Sequence, residues 1–122
     1  MSKLGALIVG VGSIGERHTR CMLNTGRVTV GIVEPNENLR AQVAERYEVL
    51  HTYGSLSEAL EDHRWSTAVV CTPANTHIEL ALTCMEASVP TLIEKPLAVS
   101  MHDAAALSPT ELPPAIGVAY VY

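Results

Sequence analysis

The sequence has no surplus of positive charge, no apolar stretch long enough to cross a bilayer and no paired-cysteine motif. Each absence removes a class of function. A net charge of −5 argues against a nucleic-acid binder, which needs a basic face to release counterions from phosphates. No apolar run approaches the roughly 20 residues that span a membrane. The opening "MSKLGALIVGVGSIG" breaks its apolar run with glycines, unlike a signal peptide. Cys21, Cys71 and Cys84 are odd in number and form no C-x-x-C. That suits reduced thiols in a cytoplasm better than a disulfide framework or a zinc site. His18, His51, His63, His77 and His102 fall at no metal-ligand spacing, so no metal is expected. Internal repeats, low-complexity segments and interdomain linkers are missing as well. What remains is a soluble, cytoplasmic chain with no membrane or nucleic-acid partner. With 48% hydrophobic and 17% charged residues it has material for a core, and residues 1–122 fit one domain.

Strand-like and helix-like segments alternate. "LGALIVG" (4–10) is an apolar run of strand length, and a helical stripe follows at Ile14, His18, Cys21 and Met22. Asn24-Thr25-Gly26 stops that helix. "VTVGIV" (28–33) is a second strand, rich in β-branched residues. After the Pro35-Asn36 turn, Leu39, Val43 and Ala44 mark a second helix, and a weak strand falls near 48–51. Ser55 with Glu58 makes a capping box ahead of Leu56, Ala59 and Leu60. "TAVVCT" (67–72) is a fully apolar strand that Pro73 ends, before a stripe at Ile78, Ala81, Leu82 and Met85. "VPTLIEK" (89–95), a short helix capped by Ser100 with Asp103, and "AIGVAYVY" (115–122) complete the series. Strands buried on both faces and alternating with helices specify an α/β class with a doubly wound parallel sheet. Right-handed crossovers make 3-2-1-4-5-6 the expected strand order.

In "GALIVGVGSIGERHTR" (5–20), Gly10, Gly12 and Gly15 fall between the first strand and the first helix. The G-x-G-x-x-G spacing alone marks only a turn; at this place it matches a dinucleotide loop, Gly10-Val11-Gly12-Ser13-Ile14-Gly15. Gly10 permits the tight turn, Gly12 lets the backbone approach a pyrophosphate, and Gly15 lets the helix pack on the sheet. The helix N-terminus adds unpaired N–H groups and a partial positive charge. Such a site also needs an acid about 20 residues on, for the ribose hydroxyls. Glu34 ends the second strand, 19 positions after Gly15. Its charge would repel a 2′-phosphate, and Pro35 and Asn36 bring no Arg to receive one, so NAD is expected ahead of NADP, with NADP possible. A methyltransferase also pairs a glycine loop with such an acid, but usually carries an acidic residue before the glycines, where Ala6-Leu7-Ile8-Val9 stand here.

Two later motifs, "CTPANTH" (71–77) and "EKPLA" (94–98), follow the fourth and fifth strands, whose carboxyl ends face the same crevice. With "GVGSIGERH" and the terminal "GVAYVY", they make the chain resemble the N-terminal domain of the glucose-fructose oxidoreductase/inositol dehydrogenase (Gfo/Idh/MocA) family. The resemblance implies an NAD(P)-dependent oxidoreductase acting on a sugar, polyol or related hydroxy compound. It implies that Thr72 and Pro73 border the nicotinamide, with Asn75 and His77 close by, and that Glu94, Lys95 and Pro96 match the family's E-K-P. Lys95 is the catalytic candidate: an ammonium can orient the hydroxyl that loses its proton and stabilise developing charge. Other readings stay open. Lys95 also fits a solvated strand end, His77 a capping or packing residue, and His18 a satisfied packing residue on the first helix. Arg17 is left unassigned. Cys71 and Cys84 are expected in the core, with no activating base beside them.

The chain departs from the family by ending at Tyr122. Members continue into a second α/β domain that supplies most substrate contacts, the oligomer interface and commonly an acid/base residue. The expectation is therefore a truncated chain that binds NAD without turning over a sugar efficiently, cut from a homo-oligomeric enzyme. The competing expectation is a stand-alone NAD-binding or sensor module with no catalysis of its own.

Overall fold

The computed structural model describes residues 3–107 and 116–118. Five segments run parallel: β1 (Leu4–Val9), β2 (Val28–Val33), β3 (His51–Tyr53), β4 (Thr67–Val70) and β5 (Thr91–Ile93). They stand in the order β3-β2-β1-β4-β5, as the alternation of elements predicts. A short β6 (Ile116–Val118) continues the sheet beside β5; the rest of the expected sixth strand lies outside the described residues. Between the strands lie α1 (Ser13–Asn24), α2 (Glu37–Tyr47), α3 (Leu56–Glu61), α4 (His77–Glu86) and α5 (Met101–Ala104).

Successive side chains of a strand point to opposite faces, so each central strand feeds two cores. Ile8, Val30, Ile32 and Val69 pack with Val43 of α2 and with Met22 and Leu23 of α1. On the other face Leu7, Val9, Val33 and Val70 pack with Leu56 and Ala59 of α3 and Cys84 of α4. This two-sided cover is why the central strands β1, β2 and β4 are almost wholly apolar, while β3 at the edge reads His-Thr-Tyr. The chain leaves β1 toward β2, while β4 lies on the other side of β1. Loops at the carboxyl ends of β1 and β4 therefore diverge, and a crevice opens between them.

Most local signals hold, with corrections: β4 stops at Val70, short of the expected 72, and β5 covers only Thr91–Ile93 of the expected 89–95. Asn36 caps α2 by accepting from the Leu39 N–H (3.0 Å), and Ser100 caps α5 by accepting from the Asp103 N–H (3.1 Å). Ser55 accepts from the Glu58 N–H (3.3 Å), yet Glu58 reaches back to the Gly54 N–H, so the capping box is half formed. The face of α1 pressed on the sheet is Gly15 and Thr19, one residue on from the predicted stripe, and Ile14 is 43% exposed. Small residues are required there, and the Thr19 hydroxyl donates to the Gly15 carbonyl (2.8 Å), so polarity hides a buried position. Val49 and Leu50 are not strand: Glu48 takes a left-handed conformation (φ 54°), the Val49 N–H returns to the Ala44 carbonyl (2.9 Å), and the strand starts at His51.

Candidate functional site

The three glycines of the loop meet three different demands. Gly10 adopts φ +90°, which L side chains rarely reach, and a Cβ there would stand 2.8 Å from Thr72 Cγ2. Gly15 packs its α-carbon against the Gly10 carbonyl; a Cβ would overlap the oxygen and lie 2.7 Å from the carbonyl carbon. Gly12 has an ordinary φ of −65°, and no atom lies within 4 Å of where its Cβ would be. Two glycines are demanded by the fold, and the third faces empty space.

That space is a cleft of about 690 Å³ along the carboxyl edge of the sheet. Gly10, Gly12, Ser13 and Ile14 form its floor, Glu34, Pro35 and Leu39 one end, and Cys71, Thr72, Pro73 and Thr76 the other. Of the residues singled out in the sequence, the structure thus brings together Gly10, Gly12, Ser13, Ile14, Glu34, Thr72 and Pro73. Val11 and Gly15 are buried beneath the loop, and Asn75, His77, Glu94, Lys95 and Pro96 stand outside this cleft lining.

Glu34 does more than the spacing foretold. One carboxylate oxygen accepts from the Val11 N–H (3.1 Å) and the other from the Asn36 N–H (3.0 Å). The side chain therefore ties the glycine loop to the start of α2, with lone pairs left over on each oxygen. Arg40, one turn into α2, donates from Nη1 to the Glu34 carbonyl (2.8 Å). Arg40 lies beyond Pro35 and Asn36, the only positions the sequence reading weighs, and reaches Glu34 because α2 starts at Glu37 and turns it back.

Across the cleft, the Thr76 hydroxyl lies 2.6 Å from Thr72 Oγ1 and 2.7 Å from the Pro73 carbonyl, closing a short turn before α4. His77 opens α4 and is buried, with Nε2 2.7 Å from the Thr72 carbonyl and Nδ1 2.7 Å from the Pro96 carbonyl. Glu94, also buried, lies 2.8 Å from His18 Nε2. His18 is thus a partner of the E-K-P segment and not a plain packing residue. Lys95 and Pro96 are exposed, joined by a cis peptide. Cys84 is in the core as expected, but Cys71 is only partly buried and lines the cleft. Burial pushes the Cys71 thiol up to about 12, helped by the Glu94 charge, so it is no ready nucleophile. Among the described residues, no three His, Cys, Asp or Glu converge to hold a metal, and no helix is long and apolar enough to cross a membrane.

Residues 4–111 match the Gfo/Idh/MocA oxidoreductase family, described as an NAD-binding Rossmann fold. The 4-carboxy-2-hydroxymuconate-6-semialdehyde dehydrogenase of Sphingobium sp. is 36% identical over 101 residues, covering 82% of this chain and 32% of that protein. The myo-inositol 2-dehydrogenase of Thermotoga maritima is 28% identical over 97 residues, covering 79% of this chain and 29% of that protein. Among solved structures, GenD2 from gentamicin A biosynthesis, in complex with NAD, superposes with a TM-score of 0.81 at 31% identity, over 96% of this chain and 35% of that one. The WlbA dehydrogenase of Bordetella pertussis has the same fold, with a TM-score of 0.80 at 23% identity, over 87% of this chain and 33% of that one. The chain spans about a third of the length of these relatives. It belongs to the Gfo/Idh/MocA oxidoreductases, as their NAD-binding Rossmann domain.

Proposed function

We propose that the cleft binds NAD, and that this chain is the cofactor-binding part of an oxidoreductase moving a hydride between NAD and a sugar, polyol or related hydroxy compound. The observation that carries the proposal is the open side of Gly12, which lines the cleft and where a Cβ would meet nothing within 4 Å. Nicotinamide, when bound, supplies the hydride acceptor. The chain supplies the groups that hold and orient it.

In α1 the Glu16 N–H is the first to find a carbonyl, that of Gly12 (2.8 Å), so the N–H groups of Ser13, Ile14 and Gly15 have no partner within the helix. Those groups and the positive end of the helix suit a pyrophosphate. Glu34, pre-oriented by two backbone N–H groups, has lone pairs for ribose hydroxyls and a charge that opposes a 2′-phosphate, which favours NAD over NADP. Thr72 and Pro73 wall the nicotinamide end. Lys95, beyond them, orients the substrate hydroxyl through its Nζ and stabilises charge developing on that oxygen. The semialdehyde and inositol dehydrogenases among the relatives support an oxidisable hydroxyl or carbonyl compound as substrate. Most of each relative's length lies outside the matched domain, and the contacts that select the substrate are assigned to that part. The free thiols Cys21, Cys71 and Cys84 suit a reducing cytoplasm.

Calorimetric titration with NAD and NADP, on the chain and on Glu34→Gln, tests the assignment. Gln keeps an acceptor for the Val11 N–H while removing the charge and the acceptor for the Asn36 N–H. The expected result is NAD bound more tightly than NADP, with the gap narrowed at least fivefold in the variant. Equal affinities in the unmodified chain would overturn the role given to Glu34.

A further inference from the structure

Lys95 stands between two residues that are each tied to a histidine from a different helix. On its N-terminal side, the Glu94 N–H donates to the Val70 carbonyl (2.9 Å), and the Glu94 carboxylate lies 2.8 Å from His18 Nε2 on α1. On its C-terminal side, the Pro96 carbonyl lies 2.7 Å from His77 Nδ1 at the start of α4. The second ring nitrogen of His77 lies 2.7 Å from the Thr72 carbonyl, and the residue is 1% exposed. One buried ring therefore spans the gap between the loop after β4 and the segment after β5. The two helices belong to opposite layers: α1 covers the core of Ile8, Ile32 and Val69, and α4 the core of Leu7, Val33 and Val70. The E-K-P segment is held from both faces of the sheet, one residue to either side of Lys95.

Lys95 itself is exposed, so its own side chain does little to anchor the backbone. A group that orients a reacting oxygen tolerates little misplacement; about 1 Å can cost on the order of 100-fold in rate. We propose that His18 and His77 are positioning residues for Lys95, fixing the E-K-P segment against the Thr72–Pro73 wall. This rests on the reading of Lys95 and the cleft given above. A neutral imidazole has one N–H, so His77 donates to one carbonyl, and to both only when each nitrogen carries a proton. Its side-chain isosteres separate the two contacts: Asn places an amide N–H near the Nδ1 position, toward Pro96, and Gln near the Nε2 position, toward Thr72.

The chain has only two lysines, Lys3 and Lys95, so reductive methylation with 13C-formaldehyde gives two lysine signals, which Lys95→Arg assigns. The Lys95 signal and the Gly12 amide signal are followed by NMR to saturation with NAD, so that a change in affinity alone cancels. In the unmodified chain both signals are expected to move. In His77→Gln and in His18→Leu the Lys95 displacement should shrink at least twofold while the Gly12 displacement is kept. In His77→Asn, which retains the donor toward Pro96, most of the Lys95 displacement should return. A Lys95 response unchanged in His77→Gln and His18→Leu overturns the proposal. A loss shared equally by Gly12 and Lys95 also overturns it, because that is the mark of a merely structural role. If Lys95 of the unmodified chain is silent while Gly12 moves, the placement of Lys95 at the nicotinamide end fails, and the proposal falls with it. Should His77→Gln not fold, the partly exposed His18 decides through His18→Leu.

Discussion

Replacing Gly15 and Gly12 in turn by alanine separates what the glycine loop does for the fold from what it does for a ligand. At Gly15 the new methyl overlaps the Gly10 carbonyl oxygen and stands 2.7 Å from its carbon, where ordinary contact begins near 3.4 Å. The obstacle is backbone, and the glycine sits on the buried face of α1, so relief requires the helix to lift off the sheet. Overpacking costs about 1–3 kcal/mol, and a backbone obstacle places Gly15→Ala at about 3 kcal/mol. For a domain of this size 1 kcal/mol moves Tm by about 4 °C, giving a fall of about 12 °C. At Gly12 the methyl meets nothing within 4 Å and the backbone is one any residue adopts. Reduced freedom of the unfolded chain gains about 0.4–1 kcal/mol, while alanine is a worse N-cap than glycine by about 0.5 kcal/mol. The two offset, and Tm should stay within about 3 °C. NAD affinity of Gly12→Ala should nevertheless fall at least tenfold. Thermal melts followed by circular dichroism, with calorimetric NAD titration, read both quantities. A Gly15→Ala protein as stable as the parent would refute the packing account, and a Gly12→Ala protein with undiminished NAD affinity would refute the ligand account.

Two further outcomes follow from the titrating groups. Burial, with the hydrogen bond to Asp62, raises the Tyr53 phenol from its ordinary 10.0 to about 12. Between about pH 10 and 12 the native chain keeps a proton that the unfolded chain has released, so this contribution is complete below pH 10 and is lost as pH rises. Tyr53→Phe should be less stable than the parent at pH 8 and lose less on going to pH 11, measured by urea midpoints; parallel curves would contradict this. The Cys71 thiol, raised from 9.0 to about 12, has a thiolate fraction at pH 8 about 1,000-fold below that of an ordinary cysteine. Cys84 is buried and also shifted up, whereas Cys21 is exposed. Ellman's reagent at pH 8 should therefore titrate one fast thiol, at Cys21, and a second fast equivalent would be inconsistent with the burial of the other two.

What the sequence makes legible is whatever a short window controls. β2 falls on "VTVGIV" without adjustment, and the Ser100 cap forms where its spacing to Asp103 predicts, while Asn36, read only as part of a turn, also caps α2. The glycine spacing and Glu34 converge on one cleft because strand order follows from the alternation of elements. Properties set by distant partners do not show. Gly31 looks like a weak strand residue, but it is small because the Trp65 indole lies across it; a Cβ there would be 2.5 Å from Trp65 Cζ2. The buried face of α1 is mistaken by one position because close approach to Gly10 selects Gly15 and Thr19, neither of which counts as hydrophobic. His18 and Glu94 are 76 residues apart in sequence, and neither residue alone announces the pairing. Leu50 falls within the weak strand expected near 48–51, yet it is 89% exposed at the exit of α2.

An NAD titration followed by 15N–1H correlation spectra of the chain tests the central claim most directly, because it maps the ligand residue by residue. The account predicts that the largest displacements fall at Gly12, Ser13 and Ile14, with Glu34 and Thr72 next, all around one cleft. Displacements centred on Glu48 and Leu50, away from that cleft, or no displacement at millimolar NAD, would contradict it.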